Sequence, residues 1–371
     1  MNFDYNEEQQ LLADSVRRFL SKDYGFEARK KIVASKEGWS AGVWAQLAEM
    51  GLAGLPFSPD HGGFGGGAVD LMGVMEAAGD ALLVEPYLPT LMGGQLVARA
   101  GSDAQKKAML PALVEGKLKM AFAHTENGAR YNLAKVGATA RIATGGAGAG
   151  WEIAGEKRVV LGAPAADKLV VSAKTEKGLS LFVVDSKNTK IKPYVTLDEQ
   201  RAGDVVLSKT PGELLGAEGG ALPVIEEVVD FATALVCAEA VGAMKFACDT
   251  TLEYLKTRKQ FGVPIGTFQA LQHRMVDMYI AHEQARSMAC LACSKVDANT
   301  DAKDRARAVS AAKIKISDNA RLVSQESVQL HGGMGMTEEL KVSHTFRRLT
   351  MIAQQFGDAD HHLARFAALD K

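Results

Sequence analysis

The sequence predicts an α+β protein, mostly α, with an N-terminal helical domain, a middle antiparallel β-domain and a C-terminal domain like a four-helix bundle. Three observations predict it. Apolar residues recur at helical spacing over 1–118; the period drops to two, with frequent turn residues, over 119–215; helical spacing returns in longer segments over 216–371. A chain of 371 residues, 47% apolar and 23% charged, can bury a sizeable core and divide into two or three domains.

In the first domain, "NEEQQLLADSVRRFLSKDY" sets Leu11, Leu12, Val16 and Leu20 on one helical face. "SAGVWAQLAEMGLAGL" and "AVDLMGVMEAAGDALL" repeat that spacing. Between them, "PFSPDHGGFGGG" is a loop, and it lacks the Lys and Ser/Thr of a phosphate-cradling loop. In the second domain the strands are "MAFAHTE", "VGATARIA", "WEIAGEKRVVL", "KLVVSA", "LSLFVVD" and "GDVVLS". "TGGAGAGW" (144–151) reads as a hairpin loop, since no helix follows it. In the third, long helices are expected at 222–258, 267–296 and 302–331, then shorter ones at 338–355 and from 359. Gly262 and Pro264 stop the first and Gly332 and Gly333 the third. Long helices with short connections make a bundle.

A formal net charge of −1 offers nothing to nucleic acid. No apolar run approaches the ~18 residues of a membrane span. "MNFDYNEEQQ" has neither the basic nor the apolar segment of a secretion signal, so a cytoplasmic protein is expected. Of four cysteines, Cys290 and Cys293 form a lone C-x-x-C on a predicted helix, which reads as buried thiols rather than a metal site.

Two motifs, "RKQFGVPIGTFQALQ" (258–272) and "QLHGGMGMTEE" (329–339), stand in this order of domains, with a looser third match in "LPFSPDHGGFGGGAVDLM". Together they resemble the acyl-CoA dehydrogenase family over essentially the whole chain. The resemblance implies oxidation of the Cα–Cβ bond of an acyl-CoA thioester: a carboxylate takes the α-proton while hydride leaves for FAD. It also implies an FAD shared between neighbouring subunits, with binding residues in two sets. The set offered to a neighbour is present. By resemblance, Arg258 meets the pyrophosphate, Phe261 flanks the cofactor, Gln269 and Gln329 lie near the adenosine half, and Gly332 and Gly333 allow close backbone approach.

The set for the chain's own flavin is depleted. "FAHTENGARYNL" matches a family segment like T-E-P-G-A-G-S-D: Thr125, Glu126, Gly128 and Ala129 match, but Tyr131 stands at the serine. Val159–Leu161 replace the family's Trp-Ile-Thr/Ser beside the flavin ring. Phe356 occupies the usual position of the catalytic glutamate, and Ala232 the alternative one. Asp230, at a position that often meets acyl-CoA, is kept. Asp230 and Asp358 are the substitute bases that remain. The bland reading of "FGDADHHLARF" is a helix start, with Asp358 as N-cap and Asp360 favouring the positive end of the dipole. Adjacent His361 and His362 point apart on a helix and do not converge on a metal.

The expectation is a base-lacking small subunit of an α2β2 acyl-CoA dehydrogenase, as in pimeloyl-CoA-type enzymes. Its partners would be a homologous large subunit, an acyl-CoA and an electron-transferring flavoprotein. A self-sufficient homo-oligomer with an atypical base, and a flavin-free structural or regulatory protein, remain as alternatives.

Overall fold

Residues 5–143, 150–298 and 301–369 are described by a computed structural model of the chain. The 144–149 part of the expected hairpin loop lies outside them. The helices before the sheet are α1 (Glu7–Asp23), α2 (Phe26–Ala34), α3 (Ala41–Glu49), α4 (Ala68–Ala81), α5 (Tyr87–Ala100) and α6 (Asp103–Val114). The strands are β1 (Met120–Ala123), β2 (Thr139–Ile142), β3 (Trp151–Leu161), β4 (Lys168–Thr175), β5 (Gly178–Asp185), β6 (Lys190–Val195) and β7 (Arg201–Leu215). Then come α7 (Leu222–Thr257), a small hairpin of β8 (Lys259–Gln260) and β9 (Val263–Pro264), α8 (Gln269–Asp297), α9 (Ala302–His331), α10 (Lys341–Gln354) and α11 (Ala359–Ala368). No helix among the described residues is long and apolar enough to cross a membrane.

By packing, the chain forms two compact units. One comprises Met1–Lys30, Gly67–Leu83 and Asp230–Lys371; the other comprises Lys31–Gly66 and Val84–Val229. Helix α7 begins in the second and continues in the first.

The second unit is built on a seven-stranded sheet. Pairing runs β4–β5–β7–β3–β2 and returns to β4 through Thr139 and Lys174, so five strands close a ring and shed their edges. Most pairings are antiparallel, as expected. β1–β4 is parallel, and the long connection that parallel pairing requires is the 124–167 segment. Ile153, Leu169, Val171, Phe182 and Val205 fill the core. β6 lies at an edge, where Pro193 needs no ladder donor.

The first unit is helical. On α9, Ala306, Val309, Lys313, Ile316, Ala320 and Val323 are buried at alternating spacings of three and four, a coiled-coil-like seam. Helices α4 and α7 meet backbone to backbone: a Cβ on Gly79 would lie 1.9 Å from the Glu239 carbonyl oxygen, and one on Gly242 would lie 1.8 Å from that of Glu76. Glu239 and Arg348 join α7 to α10 through two 2.6 Å bonds in a buried fork. Asp297, at the end of α8, caps the start of α4, accepting from Ala68 N at 2.7 Å and Val69 N at 2.8 Å. The α1 stripe differs in one place: Val16 and Leu20 are buried, but Leu11 is 66% exposed. All four cysteines are free and buried, and burial raises their thiol pKa values.

Candidate functional site

"RKQFG" is a projecting hairpin rather than a plain helix end. α7 stops at Thr257 when Arg258 N donates to Tyr254 O at 2.8 Å. The chain then reverses at Phe261 (φ 54°) and Gly262 (φ 82°), and the two positive φ values suit a tight hairpin. For phenylalanine that conformation is uncommon, and its ring is 90% exposed, with Phe268 edge-on at 6.1 Å. Arg258, Gln269 and Gln329 are exposed, and among the described residues their side chains make no hydrogen bond or ion pair.

At the end of α9, Gly332 has φ 61° and ψ −145°, a region open essentially to glycine alone. Gly333 has no such need. Its φ is not positive, and a Cβ there would meet nothing within 4 Å. The chain's own packing therefore does not require glycine at 333.

The two motifs are physically joined. Tyr254, whose carbonyl holds Arg258, packs its ring on His331, with centroids 4.5 Å apart and the planes tilted by 31°. One turn back, the Thr251 and Ser327 hydroxyls are 2.8 Å apart.

The positions expected for a base are occupied otherwise. Phe356 is half-buried at φ 61°, and Ala232 is fully buried on α7. Asp230 is also fully buried, and its oxygens accept from Arg305 (3.1 Å) and Arg365 (2.7 Å), tying α7, α9 and α11 together. A carboxylate engaged by two guanidinium groups serves as a structural tie. Asp358 caps α11, accepting from His361 N at 2.8 Å. His362 is buried against Ser310, and desolvation pushes its pKa down to about 3.

In the β-domain unit, Thr125 is exposed, and its carbonyl accepts from Arg158 N at 2.7 Å. Val159 sits in a bulge of β3 at φ 50° and is 50% exposed, an outlier for a β-branched residue. Asp204 holds this bulge, accepting from Val159 N (3.2 Å), Arg158 (2.5 Å) and Tyr194 (3.2 Å). The backbone at Val159 is thus shaped and exposed, and its side chain carries no ring and no hydroxyl.

Sequence reading missed several polar groups. Lys157 is fully buried and reaches Glu126 (2.6 Å) and Ser172 (3.0 Å); burial lowers its pKa to about 8 despite the glutamate. His124, 2.9 Å from Ser172, is held by burial and by Lys157 at a pKa of about 4. Nothing in the strand pattern marks this cluster. Lys313 donates to the carbonyls of Ile352 (2.8 Å), Ala353 (3.2 Å) and Gly357 (2.8 Å), closing the end of α10 and the turn that carries Phe356. Its signal was available, because a lysine interrupts the apolar seam of α9.

Models for the N-terminal, middle and C-terminal domains of acyl-CoA dehydrogenase match residues 6–117, 121–209 and 220–368. Acyl-CoA dehydrogenase FadE12 of Mycobacterium tuberculosis is 32% identical, the alignment covering 95% of this chain and 93% of that protein. Among solved structures, the Tcur3481-Tcur3483 steroid ACAD is similar with TM-score 0.88 and 28% identity, covering 98% of both chains. PigA with FAD and proline is similar with TM-score 0.90 and 28% identity, covering 99% of this chain and 98% of that one.

Proposed function

Because the chain belongs to the acyl-CoA dehydrogenase family of CH–CH oxidoreductases, we propose that it is the base-lacking subunit of a heteromeric enzyme, completing the FAD site of a homologous large subunit. In this reading the domains are 1–118, 119–215 and 216–371. FAD supplies the hydride acceptor; the large subunit supplies the carboxylate. This chain binds and orients. Arg258 faces the pyrophosphate, Phe261 covers the cofactor, Gln269 and Gln329 bond the adenosine half, and Gly332 and Gly333 admit it closely. Thr125 is a remnant of the chain's own flavin set, and Asp230 is a structural tie rather than a contact for acyl-CoA.

The observation that carries the proposal is an asymmetry. The neighbour-facing residues are exposed and unpaired, around a glycine that the chain itself does not require. The chain's own side has Phe356 and Ala232 for a base and Val159 for a wall. The double name of the steroid ACAD, and FAD in the name of the PigA structure, agree with this reading. An electron-transferring flavoprotein is the proposed acceptor.

The test is flavin per complex after dialysis, with the chain purified alone and with a homologous large subunit. FAD is expected only in the mixed complex, and turnover with a dye acceptor only there. Arg258→Ala should weaken FAD retention about ten- to a hundredfold, since charge-assisted hydrogen bonds contribute about 1.5–3 kcal/mol. Arg258→Lys should recover part of it. A homo-oligomer with one FAD per chain and its own turnover would establish the atypical-base alternative. A mixed complex unable to take up FAD would establish the flavin-free one.

A further inference from the structure

We propose that His331 is a positioning residue that fixes the "RKQFG" hairpin from the other motif, making one rigid arm of two segments distant in sequence. The hairpin has a narrow footing. Its first residue hangs from Tyr254 O, and Gly266 at its far end packs against the last turn of α7, where a Cβ would lie 2.9 Å from Leu255 O. Between these, Lys259–Gln260 pair only with Val263–Pro264, and the tip is exposed. Isolated hairpins of this size are marginal in water. What immobilises its root is the Tyr254 ring, half-buried beneath His331.

His331 is built to hold still. It is 3% exposed, and Nδ1 lies 2.8 Å from Ser327 O, so Nδ1–H donates to that carbonyl and fixes the ring plane. Nε2 is then a buried acceptor with no partner among the described residues. Burial lowers the ring's pKa, so it stays neutral. A phenylalanine would keep the ring contact without leaving a bare acceptor, and an asparagine would keep the hydrogen bond without the ring. That contrast separates ring packing from hydrogen bonding.

The hairpin carries its own probe, because Arg258 and Lys259 are exposed trypsin sites. Cleavage there, followed by mass spectrometry and referred to cleavage at exposed Arg130 in the other unit, reports opening of the hairpin alone. Losing an aromatic pair should populate the open hairpin about two- to tenfold more. His331→Asn should therefore speed cleavage at 258–259 by that factor with the Arg130 rate unchanged, and His331→Phe should leave it near wild type. Tyr254→Leu should act like His331→Asn, and the two together should add little, since they remove one contact. Equal acceleration at Arg130 would mean general destabilisation and would overturn the proposal, as would an unchanged rate in both His331→Asn and Tyr254→Leu. A second readout rests on the function proposed above: His331→Asn should also lower FAD retention in the mixed complex. If the hairpin loosens but FAD stays, the positioning role stands and the neighbour-site function fails.

Discussion

Lys313 sits in an environment far from that of most lysines. It is buried on the α9 seam and donates to three carbonyls where α10 ends, so its charge meets the negative end of a helix dipole. Lys313→Met would fill the seam but strip these carbonyls of their donor. The expected loss is at least about 2 kcal/mol, read from urea unfolding at pH 7. The pH dependence has a definite sign. Burial holds the folded lysine at a pKa of about 8, while the unfolded one keeps its proton to about 10.5. Between those values the unfolded state binds more protons, so this group adds stability as pH rises. The deficit of Lys313→Met relative to wild type should widen from pH 8 to pH 10; a deficit constant across that range would mean the lysine is not desolvated.

At the scale of elements, α7 is the organising helix, and its two contacts make different predictions. Against α4 it has no side chain to yield. With Gly79 and Gly242 each facing a carbonyl oxygen under 2 Å from a prospective Cβ, either glycine-to-alanine change must push the helices apart. About 1–3 kcal/mol should be lost in each, and the double variant should lose less than the sum because one shift relieves both. Against α10 it carries the Glu239–Arg348 fork. Glu239→Gln or Arg348→Met alone should cost about 3–5 kcal/mol by stranding the opposite charge, while Glu239→Leu with Arg348→Met should recover most of it. If the double variant is as unstable as the singles, the pair contributes more than its own desolvation. The helix spans themselves were legible, because 3.6-residue periodicity and Gly-Pro punctuation are local. Neither of these contacts was, because periodicity says which face is inward and not what it meets.

For the whole molecule, acid stability sums over histidines buried neutral in both units. His124 and His362 are pushed down to about 4 and about 3 by burial and nearby cations. Unfolded, each takes a proton near pH 6.5, so as pH falls from 6.5 towards 4 the unfolded state binds more protons and stability is lost. The unfolding midpoint should drop steadily over that range, and His362→Phe should flatten the slope by about one proton. An unchanged slope would mean His362 is protonated in the fold. Assembly belongs to this scale too. Phe261, Val276, Tyr279, Ile280 and Met336 lie exposed in one unit, apolar side chains available to a partner subunit. Size-exclusion chromatography should show an oligomer at micromolar concentration; a stable monomer there would count against a shared cofactor site.

The sequence by itself determined the class of fold, the order of helical and β segments and the family, since these rest on spacing, turn residues and two contiguous motifs. It also named Phe356 and Ala232 as non-bases, because a side chain without a proton-accepting group needs no structure to exclude it. Only the tertiary structure supplied the partners of the remaining carboxylates: Asp358 was legible as a cap from its neighbours in sequence, but Asp230 pairs with arginines 75 and 135 residues away. The same holds for the ring closure of the sheet, the strain at Val159 and the ring contact that ties "QLHGG" to "RKQFG". Each is a contact between segments whose separation along the chain leaves no periodic trace, and its energy comes from desolvation and geometry that exist only once the chain has folded.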